Sequence, residues 1–277
     1  MTFGSRLSEA VAGRGRLCVG IDPHPGLLDD WGLTDSVFGL EKFSMTAVEA
    51  FAGATAVVKP QSAFFERHGS RGIAVLEQLV SELRGMGSLV VLDVKRGDIG
   101  STAQAYADAY LDQNSPLAAD AITASPFLGM GSLDPIVSTA LANDAGVFVL
   151  ALTSNPEGPQ FQHAIAADGR SVAATVLDSL REANGPLDPG GLGSFGAVVG
   201  ATIGQADVDL DIGGPLLVPG IGAQGGTADD VRRIFGGVLD QVLPSSSREI
   251  LSAGPDAGAL HSAVGRSMDA FTALRAG

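Results

Sequence analysis

Eight short apolar runs alternate with stretches of helical periodicity along the 277 residues, and this alternation restricts the chain to an α/β architecture. The candidate strands are 17–22, 56–60, 88–93, 121–125, 147–153, 197–202, 216–219 and 241–244. Helical patterns are clearest at 38–54, 72–84, 102–112, 171–183 and 228–235, with a final helix expected over 259–274. Strands separated by helices pair in parallel, because a parallel neighbour needs a crossover connection. Eight such units in about 250 residues match a (β/α)8 TIM barrel. The competing open doubly wound sheet carries a glycine-rich dinucleotide turn after its first strand. Here that position reads Gly20-Ile21-Asp22-Pro23-His24-Pro25, which is no G-x-G-x-x-G. The expectation is one barrel domain over 1–277, with the Gly- and Pro-rich stretch 184–193 as an exposed, flexible insertion.

Chemistry in such barrels sits at the carboxyl ends of the strands. The third strand runs into Leu92-Asp93-Val94-Lys95-Arg96-Gly97-Asp98-Ile99-Gly100-Ser101-Thr102. Residues two apart on a strand point the same way, about 6.6 Å apart, so Asp93 and Lys95 are expected to face one side together. Gly97 is expected to turn the chain back toward Asp98, and Thr102 to stand where a helix begins. Two carboxylates bracketing an ammonium are costly for a fold and useful for proton chemistry. The bland alternative is a salt-bridge cluster at a strand end.

Other strand ends are also polar. They carry Asp22, Lys59 with Gln61, Thr153-Ser154-Asn155, Gln224-Gly225-Gly226-Thr227 and Ser245-Ser246-Ser247-Arg248. Each has a plain structural alternative: Asp22 starting a turn, Lys59 snorkelling from the rim, Ser154 or Asn155 capping a helix, the glycines permitting a tight turn. All of them nevertheless fall on the same predicted face. The loops after strands seven and eight are where barrels often bind phosphate through backbone N–H groups and a helix N-terminus. Arg248 adds a cation with a fork suited to phosphate oxygens.

Composition narrows the partners. A net charge of −14 argues against general nucleic-acid binding, while leaving room for a locally positive pocket. No uncharged apolar run reaches the ~20 residues of a membrane span, and the first residues lack a signal-peptide core. The single Cys18 rules out an intrachain disulfide and fits a reducing, cytoplasmic setting. His24, His68, His163 and His261 are scattered without H-x-x-x-H spacing, so no metal site is expected.

The spacing D-x-K-x-x-D-I-x-x-T over Asp93–Thr102 closely resembles the central motif of the orotidine 5′-phosphate decarboxylase family. Asp22-Pro23-His24-Pro25, Lys59-Pro60-Gln61, Ser125-Pro126-Phe127-Leu128-Gly129, the Pro219–Gly226 loop and Ser246-Ser247-Arg248 look like its longer bacterial subgroup. The loop after strand seven is shorter than many members carry. The resemblance implies cofactor-free decarboxylation of orotidine 5′-phosphate to UMP in pyrimidine biosynthesis. It implies a tetrad of Lys59, Asp93, Lys95 and Asp98, with Lys95 giving a proton to C6 of the pyrimidine. It further implies a homodimer in which Asp98 and Thr102 reach the partner's site. By the same resemblance Asp22 binds the ribose, Ser154 contacts the base, with Thr153 offering a similar hydroxyl, and Gln224 and Arg248, beside Gly225 and Gly226, hold the phosphate.

Three rivals stay open on the sequence. A sugar-phosphate barrel of the hexulose-phosphate synthase or β-keto acid phosphate decarboxylase kind shares D-x-K-x-x-D and uses magnesium. A Schiff-base aldolase would need Lys95 or Lys59 deprotonated, and flanking carboxylates oppose that. A catalytically dead nucleotide-binding protein is the third.

Overall fold

The computed structural model describes residues 1–185, 191–223 and 225–272. Its eight strands are β1 (Cys18–Ile21), β2 (Val57–Pro60), β3 (Leu89–Arg96), β4 (Ala121–Ala124), β5 (Gly146–Leu152), β6 (Phe195–Val199), β7 (Leu216–Val218) and β8 (Val242–Ser246). They pair in parallel in chain order, and β8 returns to β1 through Cys18↔Ser245 and Val19↔Ser246. The result is a closed (β/α)8 barrel, as the alternation of strands and helices requires. Helices fill every connection but the sixth, where residues 200–215 contain none.

Local sequence starts several of these helices. Ser36 and Ser171 accept backbone N–H groups at the starts of Val37–Phe51 and Val172–Asn184. Thr227 and Asp230 form a reciprocal capping box ahead of Ala228–Phe235. The strands are buried on both faces, as expected when helices cover a parallel sheet. One apolar layer lies between sheet and helices. A second fills the barrel and includes Val57, Leu89, Val91, Phe148, Val198, Leu217 and Leu243.

The barrel floor is closed by a helix absent from the expectations above, Phe3–Arg14, capped by Thr2. Its Phe3 and Leu7 join the inner layer, and the Phe3 ring meets Phe148 edge-on at 6.0 Å. Cys18 lies in this layer, and burial pushes its thiol up to about 12. No described helix is long and apolar enough to cross a membrane.

Several boundaries differ from expectation. β3 continues past Asp93 to Arg96, and the next helix begins at Gly100 rather than Thr102. At the far end, Leu274 of the expected last helix lies outside the described residues, and Ala257–Thr272 is helical. Of the expected insertion 184–193, residues 186–190 lie outside the described residues. Its flanks are tied down: Asn184 donates to the carbonyls of Phe195 and Ile212 and accepts from the N–H of Phe195.

Candidate active site

A cluster of opposite charges stands at the carboxyl ends of β2, β3 and β4. Asp93 is 7% exposed and accepts three hydrogen bonds. Lys59 Nζ donates to its Oδ2 at 3.0 Å, while Lys95 Nζ at 2.6 Å and Thr123 Oγ1 at 2.8 Å donate to its Oδ1. Lys59 is 6% exposed, so it is a buried partner of Asp93 rather than a rim lysine reaching for water. The Lys95 side chain is 46% exposed and faces outward from the same carboxylate.

Burial alone would favour neutral forms at Asp93 and Lys59. For Asp93 it is outweighed by the charges of Lys59 and Lys95 and by the hydrogen bonds from Lys95 and Thr123, which hold the carboxyl well below its usual range. For Lys59, burial is outweighed by Asp93 and Asp22, which hold the ammonium above the usual lysine value. The centre is therefore built to keep its lysine and aspartate charged.

The end of β3 departs from regular strand geometry to achieve this. Leu92 faces Ile122 and Arg96 faces Ala124, so β3 uses more residues than β4 over the same stretch. Such bulges re-aim side chains beside active sites. Within it Lys95 adopts φ +45°, a left-handed conformation that costs a residue bearing a Cβ about 1–2 kcal/mol. Its N–H is caught by Thr123 Oγ1 at 2.9 Å. Thr123 thus joins Asp93 and Lys95 and is 1% exposed. The turn expected at Gly97 falls instead on Lys95. Gly97 serves for close approach, since a Cβ there would collide with the Ser125 carbonyl.

Asp98 does not join this cluster within the chain. Its Oδ1 accepts from the Ile99 N–H at 2.8 Å, and no described residue forms an ion pair with it. Thr102 is exposed on the first turn of Gly100–Leu111, and Ile99 between them is 62% exposed. The expected tetrad is therefore a triad of charges plus Thr123 here, with Asp98 and Thr102 on an outward-facing turn.

The β1 and β8 ends leave polar atoms unused. Asp22 Oδ1, His24 Nε2, Ser246 Oγ and Ser247 Oγ are buried without a hydrogen-bond partner. Ser247 packs against Gly20, where an added Cβ would come to 2.7 Å from its Cβ. Exposed Arg248 opens the short helix Arg248–Leu251, and no described residue forms an ion pair with it.

On the far side, Ser154 is exposed, its hydroxyl close against Gly200. The neighbouring Thr153 is committed: its N–H donates to Gln162 Oε1, and its hydroxyl is engaged by Gln162 and Asn155. Of the two hydroxyls weighed from sequence, Ser154 is the one left open. Gln224 lies outside the described residues. The N–H groups of Gly225 and Gly226 are spent inside their own loop, on the carbonyls of Gly222 (2.7 Å) and Gly220 (2.9 Å). A Cβ at Gly226 would meet the Gly220 carbonyl at 2.5 Å and Ala201 Cβ at 2.7 Å, which restricts the position to glycine.

The sequence reading passed over Thr123, although it is the polar break in an apolar strand and lies in the inward register with Ala121.

Closed parallel barrel and buried lysine–aspartate centre together define a barrel enzyme with its charged groups at the carboxyl ends of the strands. Residues 15–263 match the family described as orotidine 5′-phosphate decarboxylase / HUMPS. The chain belongs to that family. It is 66% identical over 252 residues to an orotidine 5′-phosphate decarboxylase of a Nocardioides species, covering 90% of this chain and 91% of the relative. A Streptomyces coelicolor protein of the same name is 59% identical, with 95% of each covered. Among solved structures, a Streptomyces avermitilis protein provisionally described as an orotidine 5′-phosphate decarboxylase superposes with TM-score 0.96 at 57% identity, covering 100% of this chain and 96% of that one. The Leishmania donovani OMP decarboxylase follows with TM-score 0.76 at 30% identity and full coverage of both chains.

Proposed function

We propose that this protein decarboxylates orotidine 5′-phosphate to UMP in pyrimidine biosynthesis, as a cytoplasmic enzyme, with Lys95 as the acid. The observation that carries this is the Asp93 carboxylate gripped by Lys59 and Lys95, which fixes the Lys95 Nζ at one point. Loss of CO2 from C6 of the pyrimidine leaves an electron pair in an sp2 orbital with no neighbouring group to delocalise it. The Lys95 ammonium stabilises that pair as it forms and then transfers a proton to C6. The C–C bond pair becomes the C6–H bond, and CO2 departs neutral. Asp93 holds Lys95 in place and repels the substrate carboxylate, by about 4 kcal/mol at ~4 Å and an effective dielectric near 20.

Asp22 binds the ribose, with an unpartnered oxygen ready to accept a hydroxyl. Ser154 contacts the base. Arg248 and Gln224 hold the phosphate, and Gly225 and Gly226 shape the loop beside it. Binding at the phosphate supplies energy remote from the reacting carbon. The working unit is a homodimer in which Asp98 and Thr102 complete the partner's site. Support comes from their outward-facing turn and from the exposed apolar residues Ile99, Phe127 and Leu128.

The test is absorbance loss with orotidine 5′-phosphate in EDTA, with Lys95→Ala in parallel. Conversion by wild type, reduced about 10²–10⁴-fold in Lys95→Ala, is the expected result. Folded wild type without conversion overturns the reading, and conversion that EDTA abolishes points to a magnesium-dependent relative. Mixing Lys95→Ala with Asp98→Ala protomers tests the shared site: activity regained on mixing is expected, and two inactive variants staying inactive rejects it.

A further inference from the structure

Arg96 follows Lys95 directly and points away from the charged cluster, into a cage of its own. Its guanidinium donates to Glu66 Oε1 at 2.6 Å and to the Tyr110 hydroxyl at 3.2 Å. Its central carbon lies 5.4 Å from the Tyr106 ring centroid and 5.8 Å from that of Tyr110. Glu66 also accepts from Ser62 Oγ at 2.7 Å, and the Ser62 N–H donates to the Asp93 carbonyl at 3.2 Å. The Arg96 carbonyl accepts from the Ser125 N–H at 2.8 Å. One arginine thus ties together the ends of β2, β3 and β4 and the helix Gly100–Leu111.

These ties converge on the residue with the unfavourable backbone. A left-handed lysine persists only where its surroundings over-determine it. Thr123 holds the N–H of Lys95 from inside the barrel, and Arg96 is the next residue on the outside. The cage is specific to arginine's plane and fork, because a lysine could meet Glu66 and could not lie across two tyrosine rings. Buried Nε finds no hydrogen-bond partner, so the ring stack and Glu66 set the guanidinium's position.

We infer that Arg96 is a positioning residue: caged by Glu66, Tyr106 and Tyr110, it holds the left-handed turn at Lys95 and fixes the span from Lys95 to the helix that carries Thr102. Its kinetic consequence rests on the proposed decarboxylation, whereas its structural consequence does not. When the cage is emptied, Lys95 relaxes toward an ordinary strand conformation and its ammonium leaves the aim that Asp93 and Thr123 give it. Substrate is still bound, because the groups assigned to ribose, base and phosphate lie on other strands.

The experiment compares Arg96→Met, Arg96→Lys and Glu66→Gln with wild type. For folded Arg96→Met, kcat is expected to fall about 100-fold, the scale of a misplaced catalytic group, with KM and UMP affinity nearly unchanged. Arg96→Lys recovers part of that loss, and Glu66→Gln shows a smaller one. Unchanged kcat in folded Arg96→Met, or a loss carried by KM alone, overturns the proposal. If Arg96→Met does not fold, Glu66→Gln is judged by the same criteria. A crystal structure of the variant gives a readout independent of activity. Lys95 leaving positive φ supports the inference, and Lys95 keeping φ near +45° with its hydrogen bond to Asp93 rejects it. Wild type inert toward orotidine 5′-phosphate would instead sink the proposed function, leaving Arg96 to be judged by that structure.

Discussion

The two halves of the barrel mouth are built on opposite terms. In the β2–β4 half, Lys59, Asp93 and Thr123 are buried and mutually satisfied before any substrate arrives. Along the rim from β5 round to β1, Ser154 and Arg248 are exposed, and Asp22 and Ser247 keep buried oxygens without partners. The first half carries its interactions as folding energy, and the second keeps polar groups unpartnered. Preorganised charge serves transition-state stabilisation because nothing has to reorient during the reaction. A half with unsatisfied groups gains most when something binds.

The largest expected effect follows from breaking the satisfied half. Asp93→Asn leaves the Lys59 ammonium buried without its counter-charge, and losing one partner of such a pair costs about 3–5 kcal/mol. Denaturant unfolding measures it. The pH dependence has a definite sign. The folded pKa of Asp93 lies below its unfolded value of about 3.9, so its contribution is present above that pH and is lost as pH falls toward the folded value. Lys59 runs the other way: its raised pKa contributes stability below 10.5 that is lost as pH rises through the folded value. Asp93→Asn should flatten the acid limb. An acid limb as steep as wild type would show that other carboxylates carry it.

The opposite half should respond in function and not in stability. Arg248→Ala removes an exposed side chain, so unfolding should be unchanged within about 0.5 kcal/mol. Under the proposed function it also removes a charge-assisted contact to the phosphate, worth about 1.5–3 kcal/mol, or roughly 10–100-fold in kcat/KM. Equal kcat/KM would place the phosphate elsewhere. A large loss of stability would erase the contrast between the halves.

The same contrast governs what could be read from sequence. Alternating apolar runs report burial, and burial was enough to place eight strands and the closed barrel. Asp93 and Lys95 were legible because they sit two apart behind an apolar strand. The left-handed turn was not, because residue type pointed to Gly97, whereas the bulge put the positive φ on Lys95. Thr123 and the Arg96 cage depend on cross-strand register, which periodicity does not supply. Nor could glycine content show that Gly225 and Gly226 spend their N–H groups inside the loop. The floor helix leaves a weak signal, because only Phe3, Gly4, Leu7 and Ala10 of its twelve residues are buried.

The smallest kinetic effect is the sharpest test of how finely the satisfied half is tuned. Thr123→Val keeps the shape of a fully buried side chain and deletes one oxygen. That oxygen donates to Asp93 and accepts from the Lys95 N–H. Two hydrogen bonds are lost, one of them to a buried carboxylate, so the stability loss should be about 2–4 kcal/mol. The kinetic loss is a separate quantity, about tenfold in kcat with KM unchanged, because Lys95 and Asp93 lose the atom that registers one against the other. Steady-state kinetics beside a denaturation curve separates the two quantities. An unchanged kcat in the folded variant would make Thr123 a packing residue and leave Lys95 aimed by Asp93 alone.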